Sequence, residues 1–358
     1  MRHVKIDLGN QNIKHTENNA RVYSTVHGIV RLNDTQIGDY SDALSGGVEA
    51  LSPKDFIRVY DSVNSRHYKL YHVGDAALRQ HGALLARQER GAGRYTADYA
   101  VPLILHVLQQ YPDADGDYSL VLMFPPSNAM YVKDYVQAVK RSWKIGDGDS
   151  TRIINIKHVE VFMEGLGSIV NAIQGRLAPI KNDQHYLAID IGSFTTDLVM
   201  STAKGVFIPG MAHSLENYGI NSVKERLQNS VRRQWKEAFK DASVLDDDEY
   251  LESILTNKTV NLRGRKTEDA SAIVDDVCSD LINAVLNGVN QKFSRHVARI
   301  GGILLTGGGS TLMHTVLKER LDFSTIYLAD ERKSLFKANV RGAHYYYESL
   351  VRTGMVAV

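Results

Sequence analysis

YLAIDIGSFTTD, residues 186–197, is an apolar strand that ends in a polar Asp-x-Gly turn, and VKIDLGNQNIK, residues 4–14, repeats this pattern near the start of the chain. The glycine lets the backbone approach an anion, while the amides and hydroxyls that follow donate to its oxygens. Asp7 and Asp190 need a cation instead, most simply Mg²⁺ held through water. Two such turns facing each other would bind one Mg-nucleotide from both sides.

Length and composition restrict the class of protein. A chain of 358 residues favours two domains, and 43% apolar with 23% charged residues is ordinary for a soluble globular protein. The net charge of +1 favours neither nucleic acid nor a membrane as a partner. A single cysteine, Cys278, excludes a disulfide framework and a cysteine-based zinc site, and thirteen scattered histidines show no metal-binding spacing. Because we find neither a signal peptide nor a membrane-spanning run, we expect a soluble cytoplasmic protein.

Apolar periodicity predicts strands mixed with helices in both halves of the chain. The predicted strands are 3–7, 21–26, 56–60, 67–73, 118–124, 153–162, 186–190, 197–201, 206–208, 300–306 and 325–328. The predicted helices are 95–111, 128–143, 165–173, 217–242, 267–297 and 334–350, with a further helix beginning at the acidic residues 246–249. Residues 31–55 are polar and predict loops. The mixture indicates an α/β protein of two lobes, and the repeated polar turn suggests that the lobes are distant duplicates.

A third glycine-rich segment, Thr306-Gly307-Gly308-Gly309-Ser310, joins a predicted buried strand to a helix. Three consecutive glycines cost backbone entropy, which a plain turn does not explain. They let a flat group lie against the backbone, and the next helix presents its amino end to a nucleotide. The segment is not a P-loop, because no Lys-Ser or Lys-Thr pair follows, and it lacks the spaced glycines of a Rossmann fingerprint.

The basic residues leave alternatives open. If the second strand of a hairpin begins at Lys14, that lysine points back toward the turn and neutralises a phosphate; otherwise it is a solvated surface lysine. The helix predicted over 217–242 carries a basic run, which either contacts DNA or, as is more common, is a solvated face paired with nearby acids. This run consists of Lys224, Arg226, Arg232, Arg233 and Lys236.

The three glycine-rich segments together resemble the phosphate-1, phosphate-2 and adenosine motifs of the actin, sugar kinase and heat-shock chaperone ATPase superfamily. Within it, the chain is similar to the prokaryotic actin-like proteins of the plasmid-partitioning (ParM-type) and archaeal groups. The narrower resemblance rests on Asn12-Ile13-Lys14 and on Ala338-Asn339-Val340-Arg341-Gly342, which matches the family's connect-2 segment. Ser193 departs from the pattern, since many relatives have a second glycine there.

The resemblance implies a two-lobed actin-like fold, a duplicated ribonuclease H-like arrangement with the nucleotide in the cleft between the lobes. Lobe I would span 1–178, with a C-terminal helix at about 335–358 returning to it. Lobe II would span 179–334, with a helical insertion at about 210–298. The start of the helix predicted over 217–242 would touch the nucleotide sugar.

The resemblance also implies the site residues, with ATP or GTP and Mg²⁺ as cofactors. Asp7 and Asp190 would hold Mg²⁺ through water. Glu164, at the connect-1 position, would orient the water that attacks the γ-phosphate, which suits a reaction that depends on positioning and charge neutralisation; the alternative is that Glu164 caps the helix beginning at Gly165. The nucleotide-binding residues would be Gly9, Asn10, Gln11, Asn12, Lys14, Gly192, Ser193, Thr195, Thr196, Asp197, Gly307, Gly308, Gly309 and Ser310.

We therefore expect an ATPase that polymerises head-to-tail into filaments, for DNA or plasmid segregation or another cytoskeletal role. The partners would be further copies of the chain and a DNA-binding adaptor protein, with no direct nucleic-acid contact. The alternative is a small-molecule kinase of the same superfamily, which would need a catalytic base and a substrate insert. A chaperone ATPase would carry a substrate-binding domain after connect-2, and a nucleotide-binding protein without turnover would not need Glu164.

Overall fold

The computed structural model describes residues 1–9, 12–17, 22–26, 28–32, 55–75, 77, 97–111, 116–147, 150–240, 243–262, 266–320, 326–330 and 332–354. The chain divides into two units, Met1–Met163 with Ala343–Val358, and Glu164–Gly342. The lobe boundaries that the sequence suggests near residues 178 and 335 stay a prediction, as does the helical insertion. Most of the predicted loop region, residues 33–54, lies outside the described residues.

The first unit contains one large mixed sheet. Its strands are β1 (Arg2–Leu8), β2 (Asn12–Thr16), β3 (Tyr23–Val26), β4 (Ile29–Arg31), β5 (Phe56–Tyr60), β6 (Tyr68–Val73), β7 (Gly116–Phe124), β8 (Ser142–Asp147) and β9 (Ser150–Met163). They lie in the order β3-β2-β1-β7-β9-β8-β5-β6-β4. The pairs β1–β7 and β7–β9 are parallel, and the other neighbours are antiparallel.

Two helices of the first unit, α1 (Ala97–Gln109) and α2 (Val132–Val139), pack against this sheet. Helix α1 is apolar around most of its surface despite Pro102, and Leu103 and Ile104 are fully buried. They share a core with the apolar side chains of β1 and β7, including Ile6 and Leu122. Each side chain buried in this way stabilises the unit by about 1.5–3 kcal/mol.

The second unit is built on a five-stranded sheet. Its strands are β10 (His185–Ile191), β11 (Thr195–Thr202), β12 (Phe207–Glu216), β15 (Ile300–Thr306) and β16 (Ile326–Leu328), with a separate hairpin of β13 (Thr259–Asn261) and β14 (Thr267–Asp269). Its helices are α3 (Leu166–Gln174), α4 (Ile220–Gln234), α5 (Asp248–Asn257), α6 (Ser271–Phe293), α7 (Ser310–Arg320) and the start of α8 (Ala338–Arg352). The strand order is β12-β11-β10-β15-β16.

The core of each sheet has the same topology, which supports a duplication. In the first unit, β3-β2-β1 are antiparallel neighbours and β1-β7-β9 are parallel ones; in the second unit, β12-β11-β10 and β15-β16 repeat this arrangement. The register also repeats, because Asp7 pairs with Lys14 as Asp190 pairs with Asp197. The similarity of the two turns therefore extends to the strands that carry them.

The helix predicted over 128–143 extends too far at its C-terminal end. Residues Pro126–Tyr131 form a 3₁₀ helix, α2 ends at Val139, and Trp143 lies in strand β8. The prediction failed because Trp143 continues the spacing of four that Tyr135 and Val139 begin. Its indole Nε1 donates to the Val139 carbonyl oxygen at 3.0 Å, so the side chain packs on the last turn of α2 although its backbone is extended.

Two other predicted helices are shorter in the structure. Helix α4 ends at Gln234 rather than near 242, since Trp235 leaves the helical region at φ −119° and ψ 50°. Helix α6 covers residues 271–293 instead of 267–297, because residues 267–269 pair as β14. Val277, Leu281 and Val285, spaced four residues apart on α6, are all buried. Within the described residues, no helix is both long enough and apolar enough to cross a membrane.

Candidate functional site

The first Asp-x-Gly turn joins β1 to β2, and its two charged side chains meet. Asp7 is 4% exposed at the end of β1 and is the strand partner of Lys14. Lys14 Nζ lies 3.4 Å from Asp7 Oδ2, so the lysine points back toward the turn. A Cβ at Gly9 would overlap Lys14 Nζ and lie 2.7 Å from the Asn12 carbonyl oxygen. Glycine at this position therefore makes room for the lysine.

The second Asp-x-Gly turn joins β10 to β11. Asp190 is 8% exposed near the end of β10, with Asp197 as its partner on β11 and Thr306 as its partner on β15. The Gly192 amide donates to the Thr195 carbonyl oxygen at 2.9 Å and closes the turn. A buried carboxylate thus lies near the end of the central strand of the second sheet.

Helix α4 begins directly on this second turn. The amides of Ile220 and Asn221 donate to the carbonyl oxygens of Gly192 and Ser193, each at 3.0 Å. Gly219 precedes the helix, and a Cβ there would overlap the backbone of Ser193. These two first-turn amides are occupied by the turn, so the helix fixes the position of the turn and leaves its positive dipole end beside it.

The triple glycine between β15 and α7 contains two glycines that packing requires and one that it does not. Gly307 has φ +83°, and its Cβ would overlap Asp190 Oδ1 and the Ile191 carbonyl oxygen. The Gly309 amide donates to that oxygen at 3.0 Å, and a Cβ would lie 2.6 Å from Ile191 Cγ2. A Cβ at Gly308 would meet nothing within 4 Å. Only Gly308 therefore faces open space in which a flat group can lie.

The start of α3 approaches Asp190 through another side chain. Gly165 precedes the helix with φ 80° and offers no side-chain cap. Instead, the amides of Gly165 and Ser168 donate to Asn339 Oδ1 at 2.9 and 3.1 Å, and Asn339 Nδ2 donates to Asp190 Oδ2 at 2.6 Å. These two amides are thus capped by Asn339 rather than by Glu164, which lies half-buried just before the helix. The role of Glu164 itself stays a prediction.

Two family models match the chain. The N-terminal domain of actin-like proteins matches residues 6–167, and the C-terminal domain of the archaeal, MreB-like actin homologue matches residues 188–319. The chain belongs to the prokaryotic actin-like proteins. The family resemblance predicted from the sequence is therefore confirmed, and both halves of the sequence support it.

Solved structures confirm the mixed α/β, two-sheet actin-like fold over nearly the full length. A 15-stranded ParM filament from Clostridium botulinum aligns with a TM-score of 0.69 at 18% identity, covering 97% of this chain and 99% of that one. The archaeal actin homologue Ta0583 in complex with ADP gives 0.66 at 16% identity, with coverage of 98% and 100%. Bacillus thuringiensis ParM with ATP gives 0.64 at 13% identity, with coverage of 98% and 99%. No curated protein matches the chain.

The structure of this actin-like protein brings the predicted residues of the second unit together. The turn at 191–196, the glycines at 307–309 and the start of α3 all adjoin Asp190. Some of their polar side chains are already bonded within the protein: Ser310 donates to the Thr306 carbonyl oxygen, Thr196 donates to the Tyr218 carbonyl oxygen, and Asp197 accepts from the Ser214 hydroxyl. The Asp7 turn belongs to the other unit. Asn10 and Gln11 lie outside the described residues.

The basic run on α4 is largely neutralised by acids. Lys224 Nζ lies 3.2 Å from Asp248 and 2.7 Å from Glu252. Arg226 pairs with Asp280, and Arg232 lies 3.7 Å from Asp246. The pairing with acids agrees with the alternative to DNA contact, although Lys224 is only 6% exposed and is therefore not on a solvated face. A cavity of about 290 Å³ lies beside the first turns of the same helix, lined by Asn221, Lys224, Glu225, Gln228, Asp246 and Asp248, among others.

The buried carboxylates fit a hydrated magnesium ion better than a direct metal cage. Among the residues that the structure describes, no three His, Cys, Asp or Glu side chains are grouped to hold a metal. Asp7 and Asp190 are single carboxylates, each at a strand end beside a glycine turn. Mg²⁺ keeps several waters and needs only one or two protein carboxylates. The oxygen chemistry of the two turns therefore suits this ion.

Asn339 is a functional residue that the sequence does not predict. Its segment carries the resemblance to connect-2, which implies no role for the side chain. Asn339 lies 149 positions from Asp190 in the sequence, so local patterns carry no information on this contact. The nearest signal is Gly165, which leaves α3 without a cap of its own and so requires an acceptor from elsewhere.

Proposed function

We propose that this actin-like protein binds and hydrolyses Mg-ATP and polymerises into filaments. The observation that carries the proposal is the convergence on Asp190 of the turn at 191–196, the open glycine Gly308 and the start of α3 next to Glu164. This cluster combines a buried carboxylate with a glycine backbone open to a flat group, as a Mg-nucleotide requires. Two relatives of the same fold were solved with ADP and with ATP.

Each predicted residue has a role in this proposal. Asp7 and Asp190 would hold Mg²⁺ through water, and the ion would supply positive charge to the phosphate oxygens. Lys14, already directed at its turn, neutralises a phosphate, and Gly308 lies against the adenine or guanine ring. The other nucleotide-binding residues are Gly9, Asn10, Gln11, Asn12, Gly192, Ser193, Thr195, Thr196, Asp197, Gly307, Gly309 and Ser310.

Glu164 orients the water that attacks the γ-phosphate. Phosphoryl transfer requires little covalent participation by the protein, so a positioned carboxylate and fixed positive groups are sufficient. Glu164 lies immediately before Gly165, whose amide is held by Asn339. Its main chain is therefore anchored, as a positioning role requires.

The proposal also includes filament formation and the use of the filament in the cell. A relative of the same fold is a 15-stranded ParM filament. Head-to-tail contacts that do not close give filaments, and we propose that nucleotide hydrolysis weakens them. Because the acids pair with Lys224, Arg226 and Arg232, DNA or plasmid segregation would use an adaptor protein rather than direct contact through α4. The single cysteine supports the cytoplasm as the location.

Light scattering with Mg-ATP, followed by electron microscopy, tests the filament. We expect scattering above a critical concentration and visible filaments, with a lag that shortens as the protein concentration rises. The control is the same sample with EDTA in place of Mg²⁺. Monomers at high concentration with ATP, GTP and ADP would refute the filament and would favour the small-molecule kinase of the same superfamily.

Replacing Glu164 by alanine tests the hydrolysis mechanism. We expect phosphate release to slow by about a hundredfold, a typical contribution of a positioned acid or base, while nucleotide affinity stays close to that of the wild type. Glu160→Ala is the matched control, since Glu160 lies on β9 beside His158, four residues earlier in the chain. Equal turnover in both variants would assign Glu164 a structural role only.

A further inference from the structure

Asn339 connects two parts of the candidate site through one side-chain amide. Its Nδ2 donates to Asp190 Oδ2 at 2.6 Å. Its Oδ1 accepts from the Gly165 amide at 2.9 Å, the Ser168 amide at 3.1 Å and the Ser168 hydroxyl at 2.9 Å. The orientation of the amide is fixed by its partners, because backbone amides only donate and an ionised carboxylate only accepts.

The connection is buried and held in place. Asn339 is 6% exposed and Ser168 is fully buried. Ser168 Oγ also lies 2.7 Å from Thr306 Oγ1, at the end of β15. A buried polar group that loses its hydrogen-bond partner destabilises the fold, so each member keeps the others in one arrangement.

The backbones around Asn339 leave it no freedom to swing away. Helices α3 and α8 touch through glycines. A Cβ at Gly342 would overlap the Gly167 carbonyl oxygen and lie 2.8 Å from Gly167 Cα, and a Cβ at Gly167 would lie 2.9 Å from Asn339 Cα. Asn339 is therefore fixed against the first turn of α3.

We propose that Asn339 is a positioning residue of the nucleotide site, which fixes the orientation of the Asp190 carboxylate and of the chain at Glu164 together. The inference rests on the proposed function. A cap alone would need only an acceptor, which Asp or Ser would supply. Asparagine supplies an acceptor to α3 and a donor to Asp190 from one planar group. The second oxygen of the Asp190 carboxylate then points in one fixed direction. The backbone from which the Glu164 side chain extends is also held in place.

Asn339→Asp separates the two functions of the side chain. The new carboxylate still accepts from Gly165 and Ser168, and as an acid near a helix N-terminus it remains a good cap. Toward Asp190 it replaces a donor by an acceptor. Two ionised carboxylates cannot hydrogen-bond to each other, so the bond to Asp190 is lost. The variant thus keeps the helix end and loses the fixed Asp190 geometry.

Asn171→Asp is the matched control. Asn171 is also 6% exposed, lies on α3, and donates from Nδ2 to the Ala329 carbonyl oxygen at 2.7 Å. The same substitution removes a buried donor at equal exposure without touching Asp190. We therefore expect both variants to lower the Tm.

Three measurements on the full chain test the proposal. For Asn339→Asp we expect kcat to fall about tenfold or more, the worth of a hydrogen bond to a charged group, with KM for Mg-ATP changed less than kcat. For Asn171→Asp, kcat should stay within about twofold of the wild type, with an unchanged KM. Hydrogen exchange of the nucleotide-free chain should show the Gly165 and Ser168 amides protected in Asn339→Asp and exposed in Asn339→Ala.

The outcomes distinguish the inference from the proposed function. If the wild type hydrolyses ATP while both aspartate variants share its kcat and KM, Asn339 is a cap only and the inference falls alone. Unchanged hydrogen exchange of the Gly165 and Ser168 amides in Asn339→Ala would also overturn the inference. The hydrogen bonds from Asn339 would then not stabilise the start of α3. A wild-type chain that neither binds nor hydrolyses nucleotide would refute the proposed function and, with it, the inference.

Discussion

A substitution at Gly308 should weaken nucleotide binding without destabilising the fold. The three glycines at 307–309 are equivalent in the sequence, but an added Cβ meets different surroundings at each. At Gly308 it meets nothing within 4 Å, and the backbone there is outside the left-handed region. Gly308→Ala should therefore change the free energy of unfolding by no more than about 0.5 kcal/mol, as for an ordinary surface substitution.

Gly307→Ala is the opposite case. A left-handed φ costs a residue other than glycine about 1–3 kcal/mol. The overlap of the new Cβ with Asp190 Oδ1 and the Ile191 carbonyl oxygen adds an overpacking cost of about 1–3 kcal/mol. The sum is about 4 kcal/mol, which lowers the Tm of a unit of this size by roughly 10 °C. Circular dichroism melts of the two variants and the wild type measure the difference.

Nucleotide binding should rank the two variants differently. If the base lies against the Gly308 backbone, a methyl group must displace it, and an overpacking cost of about 1–3 kcal/mol weakens binding about tenfold or more. Titration calorimetry with Mg-ADP measures the Kd of Gly308→Ala at full stability. Binding as tight as that of the wild type would refute the placement of the base, and a large loss of Tm would refute the packing argument.

Two further predictions concern ionisable groups in the two units. Asp190→Ala should abolish Mg-dependent nucleotide binding, measured as the difference in Kd with Mg²⁺ and with EDTA; retained Mg-dependent affinity would refute the cation role. Burial lowers the pKa of His15 and of His106 to about 4, so the unfolded chain binds more protons as the pH falls from about 6.5. As the pH falls from 6.5 to 4, each histidine should therefore lower the free energy of unfolding by up to about 3 kcal/mol. Denaturant melts across this range should show the loss, a His15→Gln, His106→Gln double variant should reduce it, and a flat profile in the wild type would contradict the burial argument.

The strands and their turns were predictable because their signals are local. The apolar runs of β7, β10 and β15 are continuous, as expected of strands buried on both faces in the parallel part of a sheet. Each ends at a glycine or a proline. Helix ends were less predictable, because Trp143 satisfies the spacing of a helix from within a strand. The spacing of apolar residues indicates which side chains pack in the same core. Here one core receives side chains from a helix, α2, and from a strand, β8.

The reason for the triple glycine was also harder to predict than the pattern. The sequence indicates that three glycines cost more backbone entropy than a plain turn explains, but the positive φ of Gly307 and the contact of Gly309 with Ile191 explain two of them by packing alone. Both contacts bring the loop onto β10 at Asp190. The glycines thus build the wall of the site, and of the three only Gly308 has an open side-chain direction.

The repeated strand register shows how the two turns differ in the residue that lies opposite each aspartate. Position 14 in the first unit corresponds to position 197 in the second, each opposite its aspartate on the neighbouring strand. In the first unit the opposite residue is Lys14, whose charge balances Asp7 locally. In the second unit it is Asp197, so an acid lies opposite an acid across the hairpin. Asn339 donates a hydrogen bond to one oxygen of Asp190. The second turn therefore presents carboxylate oxygens where the first turn presents an ion pair, and oxygen ligands are what a hydrated Mg²⁺ prefers.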